Sequence, residues 1–160
     1  MNAPARQFTE AAPEGITESA LESEHANQFV TFTSGPNAYG IDIMSVREIR
    51  SWTPTTELPG QAFGARGVLD IRGHVIEVFD LSAMLGGPAT EAMPGQVVLV
   101  VAMADHDIGI LVDTVSDIIY AGPEDFRTPP NKGGKVSAMV KQEDKLVSIL
   151  DLTSLFPESF

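Results

Sequence analysis

The sequence contains no cysteine, and its basic residues are scarce. The absence of cysteine excludes a disulfide, a thiolate nucleophile and a cysteine-ligated metal site. Ten Lys and Arg residues stand against 22 Asp and Glu residues, which gives a formal net charge of −12. Nucleic acids and anionic membrane surfaces bind clustered basic side chains, which are scarce in this sequence, so neither is expected as the main partner. A protein partner or a basic ligand is favoured.

Long apolar runs and enzyme signatures are also missing from the sequence. No run approaches the roughly 20 apolar residues of a membrane-spanning helix, and no basic segment followed by an apolar one opens the chain. There is no Gly-x-Ser-x-Gly element, no P-loop and no Gly-x-Gly-x-x-Gly run. The histidines His25, His74 and His106 do not form a catalytic or metal-binding set. We expect a cytoplasmic protein that is not an enzyme and uses neither a cofactor nor a metal.

Residues 1–27 differ in composition from the rest of the chain. They are rich in Ala, Glu, Ser and Pro, and they contain five Glu residues with Arg6 as the only basic partner. Few of their side chains could pack in a core. This composition predicts a disordered acidic tail, and we place the folded domain at residues 28–157.

The folded domain repeats itself, in halves at about 28–90 and 95–157. With Val68 placed over Met139, the apolar positions match without a gap as far as Asp80 over Asp151. A second alignment places Gly40 over Gly109 and also matches Glu48 with Asp117. The simplest explanation is two copies of one unit.

The residue pattern of each half predicts short β-strands separated by Gly- and Pro-rich breaks. Strands are expected at 28–34, 39–43 and 46–52, followed by a hairpin within 67–80. Asp80 is the predicted N-cap of a short helix that stops at Gly86. A unit this small buries little apolar surface and leaves open sheet edges. We therefore expect each copy to close into a barrel of about five strands and to pack against the other, with a groove where they meet.

Five segments, in this order and spacing, resemble the CheW family. They are Tyr39-Gly40-Ile41-Asp42-Ile43, Val46-Arg47-Glu48-Ile49, Gly67-Val68-Leu69-Asp70-Ile71-Arg72-Gly73, Val78-Phe79-Asp80-Leu81 and Gly109-Ile110-Leu111-Val112-Asp113 with Val115. The resemblance extends from about residue 28 to 156. It implies a mainly all-β fold of two intertwined SH3-like five-stranded β-barrels from an internal duplication, with short helices.

The resemblance also implies a function. CheW-like proteins are non-enzymatic adaptors that couple chemoreceptors to the chemotaxis histidine kinase CheA. The expected partners are the CheW-like regulatory domain of CheA and the cytoplasmic tip of a methyl-accepting chemoreceptor, which would recruit the protein to membrane receptor arrays. Two alternatives stay open, namely a small-molecule-binding β-barrel and an adaptor of a non-flagellar chemosensory pathway.

The predicted partner-binding residues lie in two of the matching segments. They are Val46, Glu48, Gly67, Val68, Arg72 and Gly73. Arg72 is expected at a hairpin tip, where its planar guanidinium would suit an interface anchor. Glu48 is expected to pair with Arg72 across neighbouring strands and to set its direction.

Two positions depart from the family pattern. Asp70 stands where the family usually has Asn, and an ionised carboxylate can accept hydrogen bonds but cannot donate them. Glu77 stands where the family usually has Pro. Because Pro is confined to edge strands and bulges, we expect Glu77 on an edge strand that its charge protects.

Overall fold

The computed structural model describes residues 27–89, 91, 93–130 and 134–156. The predicted tail, apart from Asn27, lies outside these ranges. The described strands are β1 (Gln28–Ser34), β2 (Asn37–Asp42), β3 (Val46–Ser51), β4 (Ala65–Ile71), β5 (His74–Asp80), β6 (Val97–Ala102), β7 (Asp107–Val112), β8 (Thr114–Tyr120), β9 (Phe126–Arg127), β10 (Val136–Gln142) and β11 (Lys145–Leu150). Single 3₁₀ turns occupy Ile43–Ser45 and Pro123–Asp125. The short helices are α1 (Leu81–Met84) and α2 (Leu152–Leu155).

The two helices begin at equivalent carboxylate caps. Asp80 accepts a hydrogen bond from the backbone N–H of Ser82 at 3.1 Å, and Asp151 accepts one from Thr153 at 3.1 Å. Each carboxylate satisfies a backbone donor that has no partner within the helix. Gly86 follows α1 with a φ of 92°, a conformation that favours glycine. The sequence-based prediction of Asp80 as a cap is confirmed.

The strands form two sheets, and each sheet combines strands from both halves of the chain. Lobe 1 is the five-stranded sheet in the order β3-β6-β7-β5-β4, and lobe 2 is the six-stranded sheet in the order β8-β1-β2-β11-β10-β9. The hairpin β1–β2 of the first half thus lies in lobe 2, while the hairpin β6–β7 of the second half lies in lobe 1. The intertwined arrangement is confirmed, but the expectation that each copy closes on itself is wrong. Each half completes its sheet with a hairpin that the other half supplies.

The duplication is visible in the pairing registers. The β4–β5 pairing shifts between Ala65 and Gly67, and the β10–β11 pairing shifts at the equivalent place between Val136 and Ala138. The parallel pairing of β5 with β7 in lobe 1 has its counterpart in that of β11 with β2 in lobe 2. Because β-bulges set local twist and strand direction, both hairpins bend in the same way. The internal duplication is therefore confirmed at the level of backbone pairing.

In the part of the chain that the structure describes, the core consists of one shared cluster and two smaller ones. The central cluster contains residues of both sheets, among them Leu99 of lobe 1 and Phe32 of lobe 2, each with 0% exposure. A second cluster belongs to lobe 1, where Trp52 packs at its margin, and a third belongs to lobe 2, where Ala121 occupies the equivalent position. Each sheet therefore has its own apolar interior and contributes to a layer between the lobes.

The structure corrects the expectation for Glu77. Its strand, β5, lies between β7 and β4 and is not an edge strand. Glu77 pairs with Val68 of β4, and the parallel pairing with β7 begins at the next residue, Val78. The inference from the Pro preference fails because the order of strands in a sheet cannot be derived from local sequence.

Candidate functional site

A two-residue turn presents Arg72 at the tip of the β4–β5 hairpin. Ile71 pairs with His74, so Arg72 and Gly73 are the two central turn residues. Both have positive φ values, 52° and 86°, as a type I′ hairpin turn requires. Glycine adopts this conformation without strain, whereas the same conformation costs about 1–2 kcal/mol for Arg72. The Arg72 side chain is 71% exposed.

Asp70 stabilises this turn. Its carboxylate accepts a hydrogen bond from the backbone N–H of Gly73 at 2.9 Å. The bond needs an acceptor only, and the oxygen of an Asn side chain would serve equally. The replacement of the usual Asn therefore preserves this contact.

Glu48 receives two guanidinium groups. Arg72 forms an ion pair with Glu48 through Nη2, and its Nη1 also donates to the carboxylate at 3.4 Å. Arg50 donates from Nη1 to the same carboxylate at 2.9 Å. The hydrogen bond from Arg72 is the main reason why the pKa of Glu48 lies below its ordinary value of 4.5, and burial opposes this effect only in part. The same bond raises the pKa of Arg72. The predicted pairing of Glu48 with Arg72 is present.

The strands that carry this pair are not neighbours, contrary to the prediction. Glu48 lies on β3 at one edge of lobe 1, and Arg72 follows β4 at the opposite edge. In a flat sheet, three to four strand spacings of about 4.8 Å would separate them by about 14–19 Å. Their direct contact therefore requires a strongly curled sheet. This curvature agrees with the barrel that the sequence predicts, and the ion pair joins its two margins.

A groove of about 750 Å³ adjoins the ion pair. Glu48, Val68 and Arg72, all predicted partner-binding residues, line it. Val75 and Leu58 also line it, with 71% and 49% exposure. The groove thus combines exposed apolar side chains with a fixed cation, a composition that suits protein recognition.

The other three predicted residues lie outside the groove lining. Val46 is half-buried and packs against the central cluster. Gly73 is exposed at the turn, with open space where a Cβ would lie. Gly67 is buried with a φ of 119°, and a Cβ there would lie 2.6 Å from the carbonyl oxygen of Thr56. The chain's own segment at Thr55 and Thr56 explains the need for glycine at Gly67, so we leave Gly67 out of the proposed contact surface.

The predicted partner-binding residues did not include two exposed apolar side chains, Val75 and Ile49. Val75 lies directly opposite Asp70 in the hairpin register, and directly opposite residues share one face of a sheet. The polar Asp70 was therefore the signal that Val75 is exposed. Ile49 is 48% exposed, and its equivalent in the second half, Ile118, is 52% exposed.

Among the described residues of lobe 2, no ion pair corresponds to that of Glu48 and Arg72. Asp117 occupies the position equivalent to Glu48, and Glu143 the position equivalent to Arg72. Glu143 has a φ of 54°, nearly the same backbone conformation as Arg72. The fold therefore reproduces the turn but not its charge, and two acidic side chains replace an attractive pair.

The described residues show neither a group of three or more His, Asp or Glu side chains placed to hold a metal ion nor a helix long and apolar enough to span a membrane.

Comparisons with known proteins identify the family. The sequence model of the CheW-like domain matches residues 28–160. The chain is 32% identical over 135 residues to the chemotaxis protein CheW of Rhizobium meliloti (strain 1021), which covers 81% of this chain and 87% of that protein. It is 27% identical over 139 residues to the chemotaxis protein CheW of Bacillus subtilis (strain 168), covering 84% and 89%.

A solved structure agrees with these sequence matches. The crystal structure of the scaffolding protein TtCheW from Thermoanaerobacter tengcongensis is similar to this fold with a TM-score of 0.75 at 25% identity. The similarity covers 82% of this chain and 92% of that one. The chain belongs to the CheW family.

Proposed function

We propose that this protein is a non-enzymatic scaffold of chemotaxis signalling, which couples chemoreceptors to the histidine kinase CheA. In this proposal lobe 1 binds the regulatory domain of CheA, and the apolar margin where the lobes meet along β3 binds the cytoplasmic tip of a chemoreceptor. Membership of the CheW family supports the scaffold role. The observation that carries the site is an exposed Arg72 held in place by Glu48 at the margin of lobe 1.

The geometry around Arg72 suits a partner contact. The turn fixes the backbone, and the carboxylate of Glu48 fixes the direction of the guanidinium. Less side-chain entropy is then lost when a partner binds, because the rotamer is already restricted. Exposed Val75 and Leu58 supply apolar area next to the cation. We expect a carboxylate or backbone carbonyl of the kinase to meet Arg72.

The β3 edge offers a second contact region. Ile49 pairs with Leu99, a fully buried residue of the central cluster, and therefore extends the apolar layer between the lobes to the surface. Val46 packs against the same cluster from the start of β3. An amphipathic helix with apolar residues at helical spacing would fit such an apolar margin. We assign the helical receptor tip to this region.

Binding assays with two matched variants test the proposal. Arg72→Asn removes the cation, and Glu143→Asn makes the equivalent change in lobe 2. Asn tolerates positive φ at both turns. If Arg72 is an interface anchor worth about 2 kcal/mol, Arg72→Asn weakens the affinity for the CheA regulatory domain about 30-fold in calorimetry. We expect Glu143→Asn to bind as the unchanged chain does.

The outcomes distinguish the site from the function. Equal affinities of Arg72→Asn and the unchanged chain would remove Arg72 from the interface but leave the scaffold role intact. If the unchanged chain fails to co-purify with either the CheA regulatory domain or a receptor cytoplasmic hairpin, the scaffold role is refuted. Partners from a non-flagellar pathway would then be tested in the same assay, and thermal stabilisation by a metabolite would favour the small-molecule-binding barrel.

A further inference from the structure

The few basic residues of this acidic chain are unevenly distributed. Five of the ten Lys and Arg residues fall within residues 127–145. Four of them are described by the structure, namely Arg127, Lys135, Lys141 and Lys145. All four belong to lobe 2 or to the segment that leads into β10. With Glu143 and Asp144 as its only acidic residues, the segment 127–145 has a net positive charge within a chain whose net charge is −12.

Two of these residues share one sheet face with apolar side chains. Lys141 lies directly opposite Leu146, and Met139, two residues before Lys141, lies opposite Arg127. Opposite residues, and residues two apart in a strand, point to the same side. Arg127, Met139, Lys141 and Leu146 thus form one surface, which we call the basic stripe. Leu146 is 51% exposed, and both basic residues are exposed.

The duplicated strand frame does not require this charge, although Arg127 Nη1 donates to the backbone carbonyls of Glu124 and Phe126 at 2.6 and 2.9 Å. The equivalent residues in lobe 1 are Thr56, Val68, Asp70 and Val75. The two apolar positions stay apolar, whereas the polar and acidic ones become basic. Within the described ranges neither Arg127 nor Lys141 forms an ion pair with a carboxylate. Glu143 and Asp144 lie at the hairpin tip, so the positive charge belongs to the sheet face.

We propose that the basic stripe binds the chain's own N-terminal segment, residues 1–26. This segment carries five Glu residues against Arg6 and includes the apolar residues Phe8, Ile16 and Leu21. It therefore matches the stripe in charge and in apolar content. Its carboxylates would lie over Arg127 and Lys141, and its apolar side chains would cover Leu146.

The position at which the segment joins the fold supports this occupant. It leads into β1 at Gln28, and β1 lies two strand spacings from β11 in lobe 2. Leu146 is level with Asn37, which pairs with Ser34, six residues along β1 from Gln28. The separation from Gln28 to the stripe is therefore about 22 Å. A flexible polypeptide of 26 residues has in general a root-mean-square span of about 28 Å, so a tether of this length is long enough to reach the stripe.

Because the segment is tethered to lobe 2, weak contacts are sufficient for it to bind the basic stripe. A short linker raises the local concentration of the segment to the millimolar range, which offsets the small free energy of exposed ion pairs. Binding of the segment to the basic stripe is sensitive to salt, because exposed charges are screened within about 3 Å at 1 M ionic strength. An acidic partner that approaches lobe 2 must displace the segment, so the segment selects against such partners.

Paramagnetic broadening in the full chain tests this proposal. Because the sequence has no cysteine, Ser19→Cys provides a single site for a nitroxide label. We expect the amide signals of Lys141 and Leu146 to lose intensity, while those of Asp70 and Val75 in the equivalent hairpin keep theirs. The loss should disappear at about 1 M salt, and also when Arg127 and Lys141 are both changed to Gln.

A neutral tail separates binding from mere proximity. The same labelled chain with all five tail Glu residues changed to Gln keeps the tether but removes the charge. Undiminished broadening at Lys141 in that chain would mean that the tether alone explains the signal, and the proposal fails. Equal broadening in both hairpins, or none in either, also overturns it. None of these results bears on the binding of CheA or receptor.

Discussion

Gly67→Ala should destabilise the fold more than its size suggests. The φ of 119° lies in a region that L side chains rarely adopt, which costs about 1–3 kcal/mol. The new Cβ would lie 2.6 Å from the carbonyl oxygen of Thr56 and 2.9 Å from the hydroxyl of Thr55. These atoms cannot easily retreat, because Thr56 and Val68 exchange two backbone hydrogen bonds of 2.8 and 2.9 Å.

The two costs add to a measurable shift. Overpacking against backbone costs a further 1–3 kcal/mol or so, which gives a total of about 4 kcal/mol. For a domain of this size, 1 kcal/mol lowers Tm by about 2–4 °C. Gly67→Ala should therefore lower Tm by about 8–16 °C. Circular dichroism and the fluorescence of Trp52, the only tryptophan, provide two independent probes of unfolding.

Gly73→Ala is the matched control. Gly73 also has a positive φ, 86°, but open space surrounds the position of its Cβ. Backbone strain alone predicts a loss of about 1–2 kcal/mol and a fall in Tm of about 2–8 °C. Equal shifts for the two variants would refute the conclusion that Thr55 and Thr56 close over Gly67, and would restore Gly67 as a candidate partner contact.

Three further predictions concern the ion pair and the core. Because the folded-state pKa of Glu48 is lowered, its contribution to stability is complete above pH 4.5 and is lost as the pH falls through the folded-state value. The Tm difference between the unchanged chain and Glu48→Gln should therefore shrink below pH 4.5, and a constant difference would contradict this. A double-mutant cycle of Glu48→Gln and Arg72→Asn, followed by urea unfolding, should show coupling, and strictly additive effects would contradict the contact. Leu99→Ala should cost about 2–5 kcal/mol in the same assay, whereas half-exposed Ile49→Ala should cost clearly less; similar losses would contradict their assigned burial.

Local features of this fold could be predicted from the sequence because local chemistry determines them. Asp80 was recognisable as a cap because a carboxylate before an apolar run satisfies free N–H groups. The β4–β5 hairpin was recognisable because Arg72-Gly73 separates two apolar runs, and glycine readily adopts positive φ. The contact between Glu48 and Arg72 was also predicted, although not the position of the strands that carry it.

Strand order was not predictable in the same way. The internal register of a hairpin such as β1–β2 or β6–β7 is the same whether the hairpin pairs with strands of its own half or with strands of the other half. The exchange is decided by parallel contacts such as Val78 with Gly109, which are far apart in sequence and leave no periodic signal. This explains the three errors that concern topology, namely the self-closing copies, the edge position of Glu77 and the expectation that Glu48 and Arg72 lie on neighbouring strands.

The duplicated fold separates the constraints of folding from those of binding. Positions that shape the backbone agree between the copies, as the caps Asp80 and Asp151 show. Exposed positions differ in charge, as Arg72 and Glu143 show at two turns of nearly equal φ. Since both turns fold, neither charge is required by the backbone. Charge at these positions is therefore free to serve recognition, and the two lobes should select different partners although their strands pair alike.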